Sequence, residues 1–390
     1  MGEESASPLE NSCRNLGNLL GELSKAGVSI LKTEEHIIST KPVLDLYVSR
    51  PIDDGLFEML YIKSRKSGLM IFQLKYDDIY VIRATCVEEP KERRTLQIAL
   101  ASIALATVFL TMYGYTQEYY RVLKMPISMI TLVGFSIAFT AMFMATLLIH
   151  EVGHLLIAKS YLVPVTGPYI IPAPPIQLGF IGTFGAVIFM KGLPPSRKSQ
   201  ALLGLMGPLM GFMAALCMGF LGVSLSKYIS INEARELVSS GEASPIMFYP
   251  LAILILESLK GISEEYVLIY HPLAFFSLIM FIVTFLNLMP VGQLDGGHVI
   301  RAFVDSRTYR VIEHLTLLTL FTAGLVFLLN GRYGGLTYVS LSFILLLLKA
   351  ITGFRPHPGP ANAASLIRAR HLAILLTYGV LLALTAPIPM

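Results

Sequence analysis

The chain has 390 residues, 54% of them hydrophobic and 14% charged, with a net charge of +4. That is too apolar for an ordinary water-soluble protein and matches a polytopic membrane protein, and so small a net charge fixes no partner. The charges are unevenly spread: residues 1–95 hold 13 of the 30 Lys and Arg and 15 of the 26 Asp and Glu.

Residues 1–95 therefore read as a small α+β water-soluble domain. The opening MGEESASPLENSC lacks a basic stretch followed by an apolar core, so no cleavable signal peptide is expected. LENSCRNLGNLLGELSKAG sets Leu at helical spacing and ends in Gly27. EMLYIKSRKSGLMIFQL and DDIYVIRATCV have the character of strands, with a hairpin turn expected at KSRKSG. Cys13 and Cys86 lie in this part and Cys217 in an apolar run; with no CxxC or Cys/His cluster, neither a disulfide framework nor a thiolate metal site is implied. KERR at 91–94 directly precedes an apolar run, which makes it a cytoplasmic anchor rather than a nucleic-acid patch.

Residues 96–390 read as a membrane domain. A spanning helix needs about 20 apolar residues. Uncharged runs occur at 95–117, 125–150, 199–226, 266–294, 315–331, 333–348 and 371–390, which predicts an all-α membrane domain of six or seven spans. The fifth and sixth runs are short and form a helical hairpin through NGRYGG. The run 160–190 is different. Five prolines between Pro164 and Pro175, with Gly179, Gly182 and Gly185, remove too many backbone donors for a helix. Irregular backbone at membrane depth survives only inside protein or beside water, so GPYIIPAPPIQLGFIGTFGAVIFM is expected to be a re-entrant β-hairpin. Segment 246–262, with Pro250, Glu257 and Lys260, suits an interfacial or partly inserted helix. Loops at 91–94, 191–198, 301–310 and 349–370 carry most of the basic residues, Lys91, Arg197, Arg301 and Arg355 among them. By the positive-inside rule these loops and the N-terminal domain face the cytoplasm, as in a multi-pass protein of the cell membrane.

Within the second run, LLIHEVGHLLIAK carries His150, Glu151 and His154. HExxH on a helix puts two imidazoles one turn apart on one face, with a glutamate beside them to take a proton from an attacking water. The five-residue pattern also arises by chance, but ionisable groups inside a span cost several kcal/mol unless paired or bound, so a packing role explains three of them poorly. A catalytic zinc site needs a third protein ligand. Asp295, in FLNLMPVGQLDGGHVIRAF, is the sole acidic residue between Glu265 and Asp305 and ends a run predicted to finish on the same side as His150. It is a candidate ligand; a cap before Gly296 and Gly297 is the other reading. His298, one turn further on, suits a partner of the site or a cap equally well.

HEVGH followed by NLMPVGQLDGG resembles the site-2 protease family of intramembrane zinc metalloproteases, over roughly residues 125–300. Asn287, Pro290, Leu294, Asp295 and Gly296 fall where that family's second signature places them, and GFIGTFGA at 179–186 is similar to its glycine-containing hairpin. The resemblance implies a Zn2+ centre held by His150, His154 and Asp295, with Glu151 as general base and Asn287 as a polar group near the substrate carbonyl. It implies hydrolysis of transmembrane substrate proteins within the bilayer, of segments already trimmed by another protease. The hairpin would take an extended substrate by strand addition at Gly182, Thr183, Phe184 and Gly185. The 226–271 connection is too short for a PDZ domain, and the N-terminal domain and outer spans have no counterpart whose role carries over. Two other readings stand beside this one. One is a multi-spanning HExxH enzyme whose third ligand is Glu257 or Glu264. The other is a zinc-binding membrane transporter or sensor without protease activity. The sequence sets no oligomeric state and identifies no substrate.

Overall fold

The computed structural model describes residues 16–38, 41–77, 79–87, 92–178, 180–261, 265–351 and 357–389. Cys13, Lys91, Gly179, Glu264 and Arg355, named above, fall outside these ranges.

Helix α1 (Leu16–Lys25) stops just before Gly27, whose φ of 72° belongs to the left-handed region. Strands β1 (Ile30–Ile38) and β2 (Lys41–Val48), helix α2 (Asp54–Lys66), and strands β3 (Leu69–Tyr76) and β4 (Ile79–Cys86) complete the N-terminal unit. The four strands form an antiparallel sheet in the order β1-β2-β4-β3. Leu44, Leu46, Ile71, Ile82 and Ala84 pack with Leu19 and Leu23 of α1 and Phe57, Leu60 and Tyr61 of α2. At about 1.5–3 kcal/mol for each fully buried aliphatic or aromatic side chain, this core holds the unit together.

One expectation fails here. Residues 58–66 are helical, not a strand, and the turn joining two strands comes at Asp77 (φ 48°) rather than at KSRKSG. Asp53 accepts hydrogen bonds from the amides of Gly55 and Leu56 and so starts a helix. Burial of Phe57, Leu60, Tyr61, Ser64 and Arg65 then follows the helical period. The cysteine reading also needs correction, because Cys86 is disulfide-bonded while Cys217 is free.

Next come α3 (Arg94–Val122), α4 (Met129–Ser160), the antiparallel hairpin β5 (Val165–Pro172) and β6 (Thr183–Met190), and α5 (Arg197–Leu225). Strand β7 (Lys227–Ser230), helix α6 (Ile231–Ser239), strand β8 (Phe248–Pro250), helix α7 (Leu251–Lys260) and strand β9 (Tyr266–Ile269) follow. The chain ends with α8 (Pro272–Asn287), α9 (Asp295–Phe303), α10 (Ser306–Leu329), α11 (Gly335–Ile351), α12 (Leu372–Thr385) and β10 (Pro387–Pro389). Among the described residues, α3, α4, α5 and α10 are long and apolar enough to cross a membrane, and α8, α11 and α12 are shorter apolar helices. Large apolar side chains such as Ile98, Ile130, Phe220, Leu325, Leu347 and Leu376 are exposed along them, as a lipid-facing surface requires.

With no water to drive them together, helices in lipid associate where small residues let backbones meet. A Cβ on Gly153 of α4 would lie 2.4 Å from the Met206 carbonyl of α5, and one on Gly222 would lie 2.1 Å from the Ala274 amide of α8. α5 is thus the central helix, packed on both α4 and α8.

The N-terminal unit is bolted to this assembly. Arg65 Nε donates to the Leu162 carbonyl (3.1 Å), just past α4, and the Tyr61 hydroxyl donates to the Leu193 carbonyl (2.9 Å), just before α5. Segment 361–363 lies along edge strand β3: Gln73 N–H donates to Ala361 O and Ala363 N–H to Gln73 O, while Gln73 Nε2 donates to Asn362 Oδ1 (2.8 Å). Ala361 and Asn362 amides in turn donate to Pro194 and Pro195 carbonyls.

Candidate metal centre

His150 and His154 face one way from the C-terminal half of α4 because four residues make about one helical turn. Asp295 opens α9, directly after the turn that ends α8. Their ligand-type atoms converge. The two Nε2 atoms lie 3.1 Å apart, His150 Nε2 is 3.2 Å from one Asp295 carboxylate oxygen, and His154 Nε2 is 3.3 Å from the other. Donors about 2.0–2.1 Å from a tetrahedral ion stand about 3.3–3.4 Å from one another, so these spacings fit a divalent cation of zinc's size.

The donor chemistry fits as well. His154 Nδ1 donates to the Leu203 carbonyl (2.7 Å), which fixes the proton on that nitrogen and turns the Nε2 lone pair toward Asp295. Two imidazole nitrogens and a carboxylate facing one another, with His150 only 4% exposed, make a set that calls for a cation. Among the described residues this is the one group of three or more His, Cys, Asp or Glu side chains close enough to hold a metal.

Glu151 follows His150 on the same helix and is 5% exposed. Asn287 is the last residue of α8, half-buried, and its carboxamide bonds to no other described residue. The alternative ligand Glu257 stands apart on α7, accepting a hydrogen bond from Tyr270 (2.6 Å).

The predicted substrate contacts divide. Gly182 (φ 87°) is needed for contact with α3, since a Cβ there would lie 2.6 Å from the Val108 amide. Thr183 is buried, and its hydroxyl serves the Ile171 carbonyl and the Gly185 amide. Phe184 is exposed and Gly185 has open space around it. β6 packs near α4 and pairs with β5 on one side only, the two forming a two-stranded sheet.

Several supports of the site are absent from the sequence reading. A Cβ on Gly207 would lie 2.1 Å from His154 Nε2, and one on Gly211 would lie 2.9 Å from the His150 ring. A Cβ on Gly204 would lie 2.4 Å from the Asp295 carbonyl. The stripe GLMGPLMG in α5 was the available signal. His298 faces His357 of the C-terminal segment, ring nitrogens 3.1 Å apart. Burial, reinforced by that neighbouring ring, pushes His357 down to about 2, so it stays neutral.

The model of Peptidase family M50 matches residues 138–330. The Arabidopsis thaliana protein named "Probable zinc metalloprotease EGY1, chloroplastic" is 32% identical over 161 residues, 40% of this chain and 27% of that protein. The rice (Oryza sativa subsp. japonica) protein of that name is 31% identical over 169 residues, covering 40% and 26%. "Probable zinc metalloprotease EGY2, chloroplastic" of Arabidopsis thaliana is 24% identical over 151 residues, covering 39% and 26%. The chain thus spans about a quarter of the length of these curated relatives. No solved structure matches it significantly. Four helices of membrane-crossing length and the matched region together describe a membrane protein. Residues 138–330, which hold His150, Glu151, His154, Asn287 and Asp295, are thus the part of the chain that matches Peptidase family M50, the site-2 protease family.

Proposed function

We propose that this protein is an intramembrane zinc metalloprotease that hydrolyses peptide bonds in transmembrane segments of other membrane proteins. The observation that carries this reading is the convergence of His150, His154 and Asp295, from two helices, beside Glu151. His150 Nε2, His154 Nε2 and the Asp295 carboxylate would hold the ion. Zinc supplies there a Lewis acid that polarises the scissile carbonyl and lowers the pKa of water. Glu151 takes the proton of the attacking water and delivers it to the leaving nitrogen. Asn287, with its carboxamide uncommitted, orients the substrate carbonyl.

A substrate helix hides its carbonyls in its own hydrogen bonds and has to be opened first. The free edge of β6, with Phe184 and Phe189 exposed along it, offers an extended segment both backbone partners and apolar contact. The hairpin is re-entrant in this reading, since lipid tolerates no open strand edge unless protein or water covers it. The seven apolar helices then make six or seven spans, residues 1–95 form a cytoplasmic domain, and 96–390 form the membrane domain of a cell-membrane protein.

The test is cleavage of a generic transmembrane substrate in detergent by wild type and Glu151→Gln, with zinc measured on both. The reading expects one zinc on each protein and a loss of turnover of about 10²–10⁴-fold or more in the variant. Undiminished function in Glu151→Gln with zinc bound would instead favour a transporter or sensor.

A further inference from the structure

Asp295 sits at the end of a turn, residues 288–294, that cannot satisfy its own backbone. At its apex Gly292 is buried and adopts φ 55°. Neither its amide nor its carbonyl finds a backbone partner within the turn, and leaving both unmet in the interior would be costly. Side chains from outside meet both. Glu313 Oε1 accepts from the Gly292 amide (2.7 Å), and the Tyr309 hydroxyl donates to the Gly292 carbonyl (2.8 Å). Both come from α10, one turn apart on the same face. The other Glu313 oxygen lies 2.9 Å from Lys349 Nζ on α11, and Glu313 and Lys349 are both buried.

The packing leaves this turn no slack. A Cβ on Gly297 would lie 2.6 Å from the Gly292 carbonyl and 2.8 Å from the Tyr309 hydroxyl, so α9 returns directly over the clamped peptide. A Cβ on Gly296 would lie 1.9 Å from the Leu288 carbonyl, which also accepts a hydrogen bond from Tyr378 of α12 (2.7 Å). The side-chain hydrogen bonds that hold the turn between Asn287 and Asp295 thus come from α10 and α12, with α11 behind Glu313.

We infer that Glu313 and Tyr309 are positioning residues for Asp295, acting by gripping the Gly292 peptide, and that Lys349, on the other Glu313 oxygen, holds that side chain aimed at the amide. The helices after residue 303 thereby belong to the metal centre's machinery rather than to its periphery. Lys349 and Tyr378 lie beyond the stretch matched by the family model. The inference rests on the reading of His150, His154 and Asp295 as metal ligands. Groups that orient a ligand in this way typically carry a factor of 10–100 in metal affinity.

Removing one member of a buried ion pair strands the other charge, so the informative variants neutralise both. Glu313→Gln with Lys349→Met keeps an oxygen that can accept from the Gly292 amide; Glu313→Leu with Lys349→Met does not. Each full-length protein is purified in detergent, stripped of metal, and followed by amide exchange over 288–296, by thermal midpoint, and by competition for zinc against a chelator. The expected result is wild-type exchange and zinc retention, within about twofold, for the Gln/Met protein. The Leu/Met protein should exchange faster over 288–296 and release zinc at about tenfold lower chelator activity, with a lowered midpoint for the metal-free form, because the buried Gly292 amide is left unmet. Equal behaviour of the two double variants, in either direction, would overturn the inference. Should the Leu/Met protein not fold, Tyr309→Phe, which frees the Gly292 carbonyl, takes its place under the same criteria. A wild type that holds no zinc would refute the metal reading, while exchange over 288–296 would still judge the clamp.

Discussion

Gly207 shows how little room the imidazoles have. Alanine in place of a helix-interior glycine normally stabilises by about 0.5–1 kcal/mol. At position 207 the added methyl would fall 2.1 Å from His154 Nε2, the atom assigned to the ion. Gly207→Ala should therefore forfeit that gain, lowering thermal stability by about 1–3 kcal/mol through overpacking, and should lower zinc affinity by about 10–100-fold, the range typical of disturbed ligand geometry. Gly211→Ala, with 2.9 Å to the His150 ring, should lose less. Chelator competition on the two variants checks both the loss and its order; unchanged affinity in Gly207→Ala would mean that His154 does not use Nε2.

At the level of elements, the hairpin carries the next prediction. Phe184 is exposed on the free-edged strand β6 and meets the Phe180 ring edge-on. Phe184→Ala should leave zinc content and thermal midpoint at wild-type values and slow cleavage of a transmembrane substrate several-fold. Kinetics alongside metal analysis checks this, and unaltered cleavage would detach β6 from substrate binding. The elements also show where sequence was readable. Helix α4 and the pairing of His150 and His154 follow from a spacing of four on an apolar run, and the lone acid at Asp295 follows from charge alone. The helix over Asp54–Lys66 was missed because Tyr61 and Ile62 have strand propensity and KSRKSG has turn character, although Asp53 before Gly55 and Leu56 was a legible cap. The glycines of α5 and the grip of Tyr309 and Glu313 on Gly292 are contacts between distant segments, and no local pattern encodes which backbone a side chain will meet.

Across the whole molecule, a strap adds to the direct contacts that join the N-terminal unit to the helices of the metal centre. Segment 361–363 is hydrogen-bonded to β3 on one side and to Pro194 and Pro195 on the other, and four residues upstream of it His357 meets His298, three residues after Asp295. Gln73, wholly buried, exchanges hydrogen bonds with Ile52 and Asn362 through its side chain. Gln73→Ala would orphan those groups at about 1–3 kcal/mol each. The prediction is a lowered thermal midpoint and faster amide exchange over 361–366, measured on the full chain. Wild-type exchange there would show that the strap does not depend on the N-terminal sheet.

The central claim is that His150, His154 and Asp295 form one metal centre, and metal stoichiometry tests it most directly. Wild type, His150→Ala, His154→Ala, Asp295→Ala and Glu257→Ala, purified in detergent and equilibrated with equal zinc, should give one ion per chain for wild type and Glu257→Ala and a small fraction of that for the other three. A full complement of zinc on Asp295→Ala, or its loss from Glu257→Ala, would contradict the account.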